Sequence, residues 1–376
     1  MNILITVGIF PPDIGGPASF VPKITDYLMK NGHNVQIICL SEKENIHLDD
    51  KLNVIRINRS SNLPYRWLKT IYLIVTNGIK CDLIFVNGLG VESSIANLLI
   101  RKRTIRKIVG DPVWERVYNQ KRTIESFDEF QSNKHNFKIE VQKLIRNWSI
   151  NLADTIITPS EHLKKFISEL GKNNKVIKIN NGIEITEIRK ENLNKSDINL
   201  LIVSRLVIQK NINIVIEALK ILNNKNLKLT IIGQGGEFDK LKKLIKNLNL
   251  QNEIKLLGKI ENNRIYEFLN DSDIFIQASN YEGLPHSVLE AINYEVPILS
   301  TEVGGCKDLL NNGERGFIIS SPPDKNLIAE NITYIINNKV AARKKAINAK
   351  ALIKKEYNFS IQADMYMEIF KESMKI

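Results

Sequence analysis

Cysteine is scarce in this chain: Cys39, Cys81 and Cys306 are the only three in 376 residues, odd in number and far apart. They cannot make a disulfide framework, and they lack the close spacing of a zinc site, so a reducing compartment and a cytoplasmic location are expected. Long apolar runs are missing too, since none approaches the roughly 20 residues of a membrane-spanning helix. Met1 to Phe10 carries no basic residue ahead of its apolar stretch and runs into Pro11-Pro12-Asp13, which suits a first strand and turn better than a secretory signal. No helix-turn-helix, finger or ribonucleoprotein motif occurs, which sets nucleic acid aside as a partner. What is present, 43% hydrophobic and 25% charged residues, describes a soluble globular protein with two domains of about 150 residues each.

The net charge of +12 points to an acidic partner, either a phosphorylated small molecule or an anionic membrane surface. The densest basic stretch, Arg101-Lys102-Arg103-Thr104-Ile105-Arg106-Lys107, reads as a solvated loop between a helix and a strand. Tyr65-Arg66-Trp67-Leu68-Lys69 mixes aromatic and basic residues, as a membrane-surface helix or a buried amphipathic helix would.

Short β-branched runs alternate with helical patterns through the first half: Asn2 to Val7, Val35 to Leu40, Val54 to Ile57, Leu83 to Val86 and Thr155 to Thr158. Such runs predict parallel strands covered on both faces, hence a doubly wound α/β domain. The pattern lapses at Asn181-Gly182 and through a polar stretch ending Asn194-Lys195-Ser196-Asp197, then resumes with Ile198 to Val203. The expected organisation is a first domain over 1–180, a second of the same architecture over 181–357, and a terminal helix within 358–376 that packs back on the first. Ligands of open α/β sheets bind at the carboxyl ends of strands, so the expected site is a cleft between two facing domains.

The loops that follow strands carry the chemistry. After the first strand, Gly15 and Gly16 precede a helix, offering backbone N–H groups and the positive helix end to an anion; as structure alone they are a permissive turn. After the first strand of the second domain, Arg205 and Lys210 flank a helix start and suit a phosphate clamp, though a solvated turn explains them equally. The loop beginning Gly233-Gln234-Gly235-Gly236 implies close backbone approach to a nucleotide or to the cleft. Asp271 and Asp273 stand directly before a strand and read as a turn rather than a metal pair, so no metal ligand is assigned. The stretch Glu282-Gly283-Leu284-Pro285-His286-Ser287-Val288-Leu289-Glu290-Ala291 places two carboxylates near one helix start, with Glu290 expected two turns in. Such a pair suits the hydroxyl groups of an extended sugar-bearing ligand. His286 between them reads as a cap or packing residue.

Taken in order, the Phe10 to Gly16 loop, Arg205 and Lys210, the Gly233 loop, the Glu282 and Glu290 pair and Val303-Gly304-Gly305 resemble glycosyltransferase family 4, the retaining family with two Rossmann-like domains (GT-B). The resemblance spans essentially the whole chain, and the glutamate pair is its most specific part. It implies that Arg205 and Lys210 hold the donor diphosphate, that Glu282 with the backbone at Gly283 and Leu284 holds the donor sugar, and that Glu290 holds the ribose. Gly15 and Gly16 would close on the diphosphate. It also implies metal independence and no cofactor, a nucleotide-sugar donor of uridine or guanosine type, and a glycan or lipid-linked acceptor. Three departures stand out, one of them Asp308 in place of the usual Glu after Gly304-Gly305. Asn211 replaces a common Gly, and Asp111, in Gly110-Asp111-Pro112, occupies the region of a frequent His, making it a candidate for donor or acceptor contact.

The expected activity is therefore hexosyl transfer by a peripherally membrane-associated cytoplasmic enzyme. A nicotinamide-dependent oxidoreductase is the first rival; the absence of a Gly-x-Gly-x-x-Gly turn after the first strand argues against it. A non-catalytic nucleotide-sugar-binding protein is the second, and the full set of cations and glutamates argues against it.

Overall fold

The computed structural model describes residues 1–13, 15–42, 52–171, 175–186 and 197–375. Ile14 of the first glycine loop and residues 187–196 of the polar stretch lie outside the described residues. The chain divides into two compact units: Met1–Val113, Lys134–Asn180 and Ser360–Ile376 form unit 1, and Trp114–Asn133 with Asn181–Phe359 form unit 2.

Unit 1 is built on seven strands, β1 Asn2–Val7, β2 Asn34–Ser41, β3 Asn53–Asn58, β4 Leu83–Asn87, β5 Arg103–Lys107, β6 Thr155–Thr158 and β7 Lys175–Lys178, in the order β3-β2-β1-β4-β5-β6-β7. All neighbours pair in parallel. Apart from the β2–β3 connection, the crossovers carry helices: α1 Gly16–Lys30, α2 Leu63–Gly78, α3 Gly90–Ile100, and, beyond a short α4 Pro112–Asn119 and α5 Phe127–Ser132, α6 Phe137–Asn151 and α7 Glu161–Leu170. The sheet is buried on both faces because its side chains alternate between two apolar layers. One layer holds Leu4, Ile38, Ile57, Ile84 and Val86 with Ile74 of α2 and Ala96 of α3. On the other, Phe85 packs against Phe20 of α1 with centroids 6.3 Å apart and against Tyr366 and Phe370 at 5.6 and 5.3 Å.

Unit 2 repeats the plan with β8 Ile198–Val203, β9 Leu227–Ile232, β10 Ile254–Gly258, β11 Ile274–Gln277, β12 Ile298–Thr301 and β13 Phe317–Ile319, ordered β10-β9-β8-β11-β12-β13 and again parallel. Its helices are α8 Ile212–Leu222, α9 Phe238–Asn247, α10 Asn262–Asp271, α11 His286–Asn293, α12 Gly304–Leu310, α13 Lys325–Asn337 and α14 Lys339–Glu356. The terminal helix α15 Phe359–Ser373 supplies the Tyr366 and Phe370 of the unit 1 layer. In each sheet the direction of winding reverses once, between β1 and β4 in unit 1 and between β8 and β11 in unit 2.

Two expectations need correcting. Residues 114–133 do not belong with the rest of 1–180. Trp114 and Phe127 pack on Tyr281 of unit 2 with ring centroids 5.3 and 4.5 Å away, and the second pair is stacked. A capping box at Ser126 and Glu129 starts α5 and sets Phe127 in that position. The basic stretch 101–107 is not a solvated loop either. Its last five residues are β5, inside the sheet, where the Arg106 guanidinium reaches Ser149 Oγ at 3.0 Å and Lys107 is buried against the Phe20 ring, 3.6 Å from its centroid.

Candidate functional site

The winding reversal of unit 2 gathers most of the residues singled out by sequence. Beyond β8 the chain passes Ser204 and Arg205, makes a short 3₁₀ turn over Ile208–Lys210, and enters α8 through Asn211 with φ 49° and ψ 33°. That left-handed conformation is tolerated by Asn. Its side-chain amide donates to the Ala278 carbonyl at 2.8 Å and to Asn280 Oδ1 at 2.7 Å, tying the Arg205 loop to the loop after β11.

The core of the site is Glu282. Its Oε1 accepts hydrogen bonds from Lys210 Nζ, from Gln277 Nε2 and, at 2.7 Å, from Ser279 Oγ. Gln277 also donates to Ser279 at 2.7 Å. Lys210 and Glu282 are both nearly buried, at 8% and 11% exposure. A buried cation is stable here because its carboxylate is itself hydrogen-bonded on the same oxygen. Lys210 is thus not an exposed loop cation, and its removal would strand Glu282. Below it, burial pushes the Cys306 thiol up to about 12, with the Glu282 carboxylate adding to the effect.

Arg205 is different. It is 57% exposed and touches Glu115 of α4 at 3.1 Å. Two further bonds fasten the same segment: the Asn280 amide donates to the Tyr118 hydroxyl, and Asn119 donates to Gln209 Oε1 at 3.3 Å. Residues 114–133 therefore brace both the Arg205 loop and the loop after β11.

The glycines do specific work. A Cβ on Gly304, which has φ 45°, would lie 1.7 Å from the Glu282 carbonyl oxygen, and one on Gly305 would lie 2.4 Å from that of Gly283. The Gly305 N–H donates to the Gly283 carbonyl at 2.8 Å, so α12 starts in contact with the backbone that carries Glu282. Leu284 is buried, and its carbonyl accepts from the Asn181 amide at 2.8 Å. The Gly233 loop makes its close approach to the chain itself: Cβ atoms on Gly233 and Gly235 would meet the carbonyl oxygens of Ser204 and Leu206 at 1.8 and 2.3 Å. The Leu206 N–H then donates to the Gln234 carbonyl at 2.9 Å. These glycines are required by the seating of the Arg205 loop.

Glu290 lies just over one turn into α11, not two, because the helix begins at His286. It stands among Tyr266 and Tyr294, whose rings stack 5.7 Å apart, and with their burial it raises both phenols above their ordinary range. The two glutamates have separate surroundings. Asp271 and Asp273 sit at the amino end of the sheet, both bonded to Asn199, with the Asn199 N–H 2.8 Å from Asp273 Oδ2.

Three sequence candidates fall in unit 1. Gly15, half-exposed with φ 150°, caps the N-terminus of α1 without a side-chain hydrogen bond, and Gly16 is its first residue. Asp111 is fully buried, ion-paired with Arg146, and accepts from the Val113 N–H at 3.0 Å. It presents no surface to a sugar; it anchors the start of α4. Sequence reasoning missed Gln277, Ser279 and Glu115. A polar Gln closing the apolar strand Ile274-Phe275-Ile276 was the available signal for the first.

Two parallel sheets with alternating helices in one chain match the GT-B architecture. Profiles of two families match successive stretches of the chain, Glycosyltransferase Family 4 over residues 14–187 and Glycosyl transferases group 1 over 184–352. The chain belongs to this group 1 glycosyltransferase family. It is 30% identical to an uncharacterized glycosyltransferase of Methanocaldococcus jannaschii over 67% of this chain, a match that spans 65% of that relative's own length. It is 29% identical to the capsular polysaccharide biosynthesis glycosyltransferase CapM of Staphylococcus aureus, over 63% of this chain and 67% of the relative. Among solved structures, Anabaena HepE in complex with UDP and glucose superposes with a TM-score of 0.79 at 18% identity, covering 99% of this chain and 100% of that one.

Proposed function

We propose that this glycosyltransferase transfers a hexose from a uridine or guanosine diphosphate sugar to a glycan or lipid-linked acceptor with retention of anomeric configuration, without a metal or other cofactor. The observation that carries the reading is the Lys210–Glu282–Gln277–Ser279 network at the winding reversal of unit 2. It places an ammonium and a carboxylate side by side at the carboxyl end of the sheet, where open α/β folds bind ligands. HepE, which shares the fold, was crystallised with UDP and glucose, and CapM is named for capsular polysaccharide biosynthesis; both support a nucleotide-sugar donor and a glycan acceptor.

In this reading Lys210 and Arg205 take the diphosphate, and the charge that develops on it as the glycosidic bond breaks is met by these fixed cations. Glu282, with the backbone at Gly283 and Leu284, orients the donor sugar, and Glu290 takes the ribose hydroxyls. Gly15 and Gly16, at the start of α1, offer backbone N–H groups suited to an anion. The leaving diphosphate assists the incoming hydroxyl on the same face of the sugar. The test is turnover of a panel of nucleotide sugars, with the product followed by NMR in the presence of a chelator. Retained configuration and chelator-resistant activity are expected; an inverted anomer, or loss of activity restored by manganese, would overturn the corresponding part.

Peripheral membrane attachment is proposed on a different observation. On α2, Tyr65, Leu68 and Tyr72 are all more than half exposed and recur at helical spacing, with Lys69 beside the Tyr65 ring, 5.8 Å from its centroid. The buried β5 cations take no part in it. Sedimentation with anionic vesicles is expected to decline with salt and with Leu68→Glu. Equal failure to bind anionic and neutral vesicles would remove the idea.

A further inference from the structure

The helices on one face of the unit 1 sheet carry apolar residues on their outer side as well as their inner one. α2 and α3 cover the layer that holds Leu4 and Ile84, and α6 lies next to α3, whose Ser94 hydroxyl donates to the Ser149 carbonyl at 3.0 Å. Every exposed residue of α2 and α3 is apolar or aromatic. On α9 of unit 2, by contrast, the exposed residues are Asp239, Lys240, Lys242, Lys243, Lys246 and Asn247, the pattern of a helix whose outer face meets water. Apolar side chains exposed singly are ordinary, but a contiguous group marks a surface that something covers.

The group has two ends. Helices that join parallel strands run back against them, so the C-terminal halves of α2, α3 and α6 lie toward the amino ends of the strands, away from the loops that follow the strands. At that end stand Ile79, Leu98, Leu99, Leu144, Ile145 and Trp148, all between 41% and 71% exposed. They come together because the helix ends are closely set. A Cβ on Gly78 would lie 2.6 Å from Ile100 Cδ1, and the strands β4, β5 and β6 into which these helices lead are neighbours in the sheet. Tyr65 and Leu68 belong to the opposite end of α2.

The rim of the amino end carries both signs. Lys80 and Asp82 are exposed just past α2, Arg101 is exposed at the end of α3, and Arg103 pairs with Asp154 at 3.1 Å with both side chains open to water. On a chain of net charge +12 such a balance is local. An anionic bilayer calls for cations alone. A two-fold axis instead sets a patch against itself, and a patch edged by both signs then meets its own opposite charges. The size fits as well. Six side chains of this kind each leave on the order of 100 Å² in water, and with their rim they approach the roughly 800 Å² per partner of a standard interface.

We propose that the amino-end face of α2, α3 and α6 is a self-association surface through which two copies of this chain form a two-fold dimer. Trp148 is its anchor, since buried aromatic side chains carry much of the energy of an interface. Leu99, the most exposed of the six, lies on the middle helix. The dimer leaves the strand-end loops of unit 1 and the Tyr65 end of α2 uncovered, and it does not depend on the transferase reading.

The test is sedimentation velocity on the full chain across the micromolar range. The wild type is expected to pass from the monomer mass to twice that mass as concentration rises. Leu99→Glu and Trp148→Glu should each raise the dissociation constant by at least about tenfold, with an unchanged melt because both positions are exposed. Trp148→Ala, which introduces no charge, should act in the same direction, and Leu68→Glu should leave the dimer intact. A wild type that stays monomeric throughout, a dimer indifferent to both glutamate substitutions, or open-ended association would overturn the proposal. So would a monomeric wild type that binds anionic vesicles and loses them in Leu99→Glu, since the face would then belong to lipid. Failure of the membrane reading shows separately, as a dimer that binds no vesicles.

Discussion

The two winding reversals of this chain are built alike and equipped oppositely. In unit 2 the buried ammonium of Lys210 is answered by Glu282, and Glu282 by Gln277 and Ser279. In unit 1, among the described residues, the buried ammonium of Lys107 meets only aromatic faces, and Asn87 on the neighbouring strand keeps an N–H group without a hydrogen-bond partner. A closed network holds its geometry before any ligand arrives, which suits a site where a reacting group has to be positioned. An open one leaves its free energy to be recovered by whatever binds. One fold can thus carry a closed polar network and an open one.

The sharpest way to break the comparison is Lys210→Ala. It leaves the Glu282 carboxylate buried without its cation, so a loss of about 3–5 kcal/mol of stability is expected, together with loss of nucleoside diphosphate binding, measured by melting and calorimetry. A melting temperature equal to that of the wild type would mean that the unit 2 network is not closed. Arg205→Ala should behave differently, because an exposed side chain supports little. Its expected signature is an unchanged melt with diphosphate binding weaker by about 1.5–3 kcal/mol, the worth of a charge-assisted hydrogen bond.

Within unit 2 the two glutamates refine the contrast. Glu282→Gln should depress turnover far more than it weakens diphosphate affinity if, as proposed, its contact is to the reacting sugar. Glu290→Gln, in its tyrosine-lined surroundings, should weaken donor and diphosphate together by about 1–3 kcal/mol. Equal losses of affinity in both variants would show that the pair acts as one.

The smallest effect is expected in unit 1. Burial pulls the Lys107 ammonium from 10.5 down to about 7. Below pH 7 both the folded and unfolded chains hold the proton, and the folded protein bears the full cost of a buried charge. As pH rises from 7 to 10.5 the folded chain has released a proton that the unfolded chain still binds, so stability increases through that window. Lys107→Met should therefore stabilise, by about 1 kcal/mol, and more at pH 6 than at pH 9. A stabilisation that grows with pH would contradict the burial of this cation.

Much of this was legible in the sequence, for a physical reason. Runs such as Asn2 to Val7 and Ile198 to Val203 announce buried parallel strands, and the glutamate pair in its Gly and Pro turn announces the donor loop, because both are local patterns. What was not legible depends on distant partners. Arg-Thr-Ile-Arg-Lys reads as surface until Ser149 and Phe20 are seen to receive its cations. Trp114 and Phe127 follow unit 1 in sequence, but their stacking partner is Tyr281. Lys210 reads as a surface cation because the carboxylate that neutralises it comes 72 residues later.

The position of α15 in the chain bears on how the molecule is made. Tyr366 and Phe370 cover Phe85 and Phe20, yet they emerge from the ribosome only after all of unit 2. During vectorial synthesis the sheet of unit 1 therefore waits with an aromatic face open to water until unit 2, Trp114–Asn133 and Asn181–Phe359, has been made. Exposed faces of this kind invite aggregation. Nascent chains halted before α15 should accordingly be the species most in need of a chaperone, and release of the last helix should be the step that frees them.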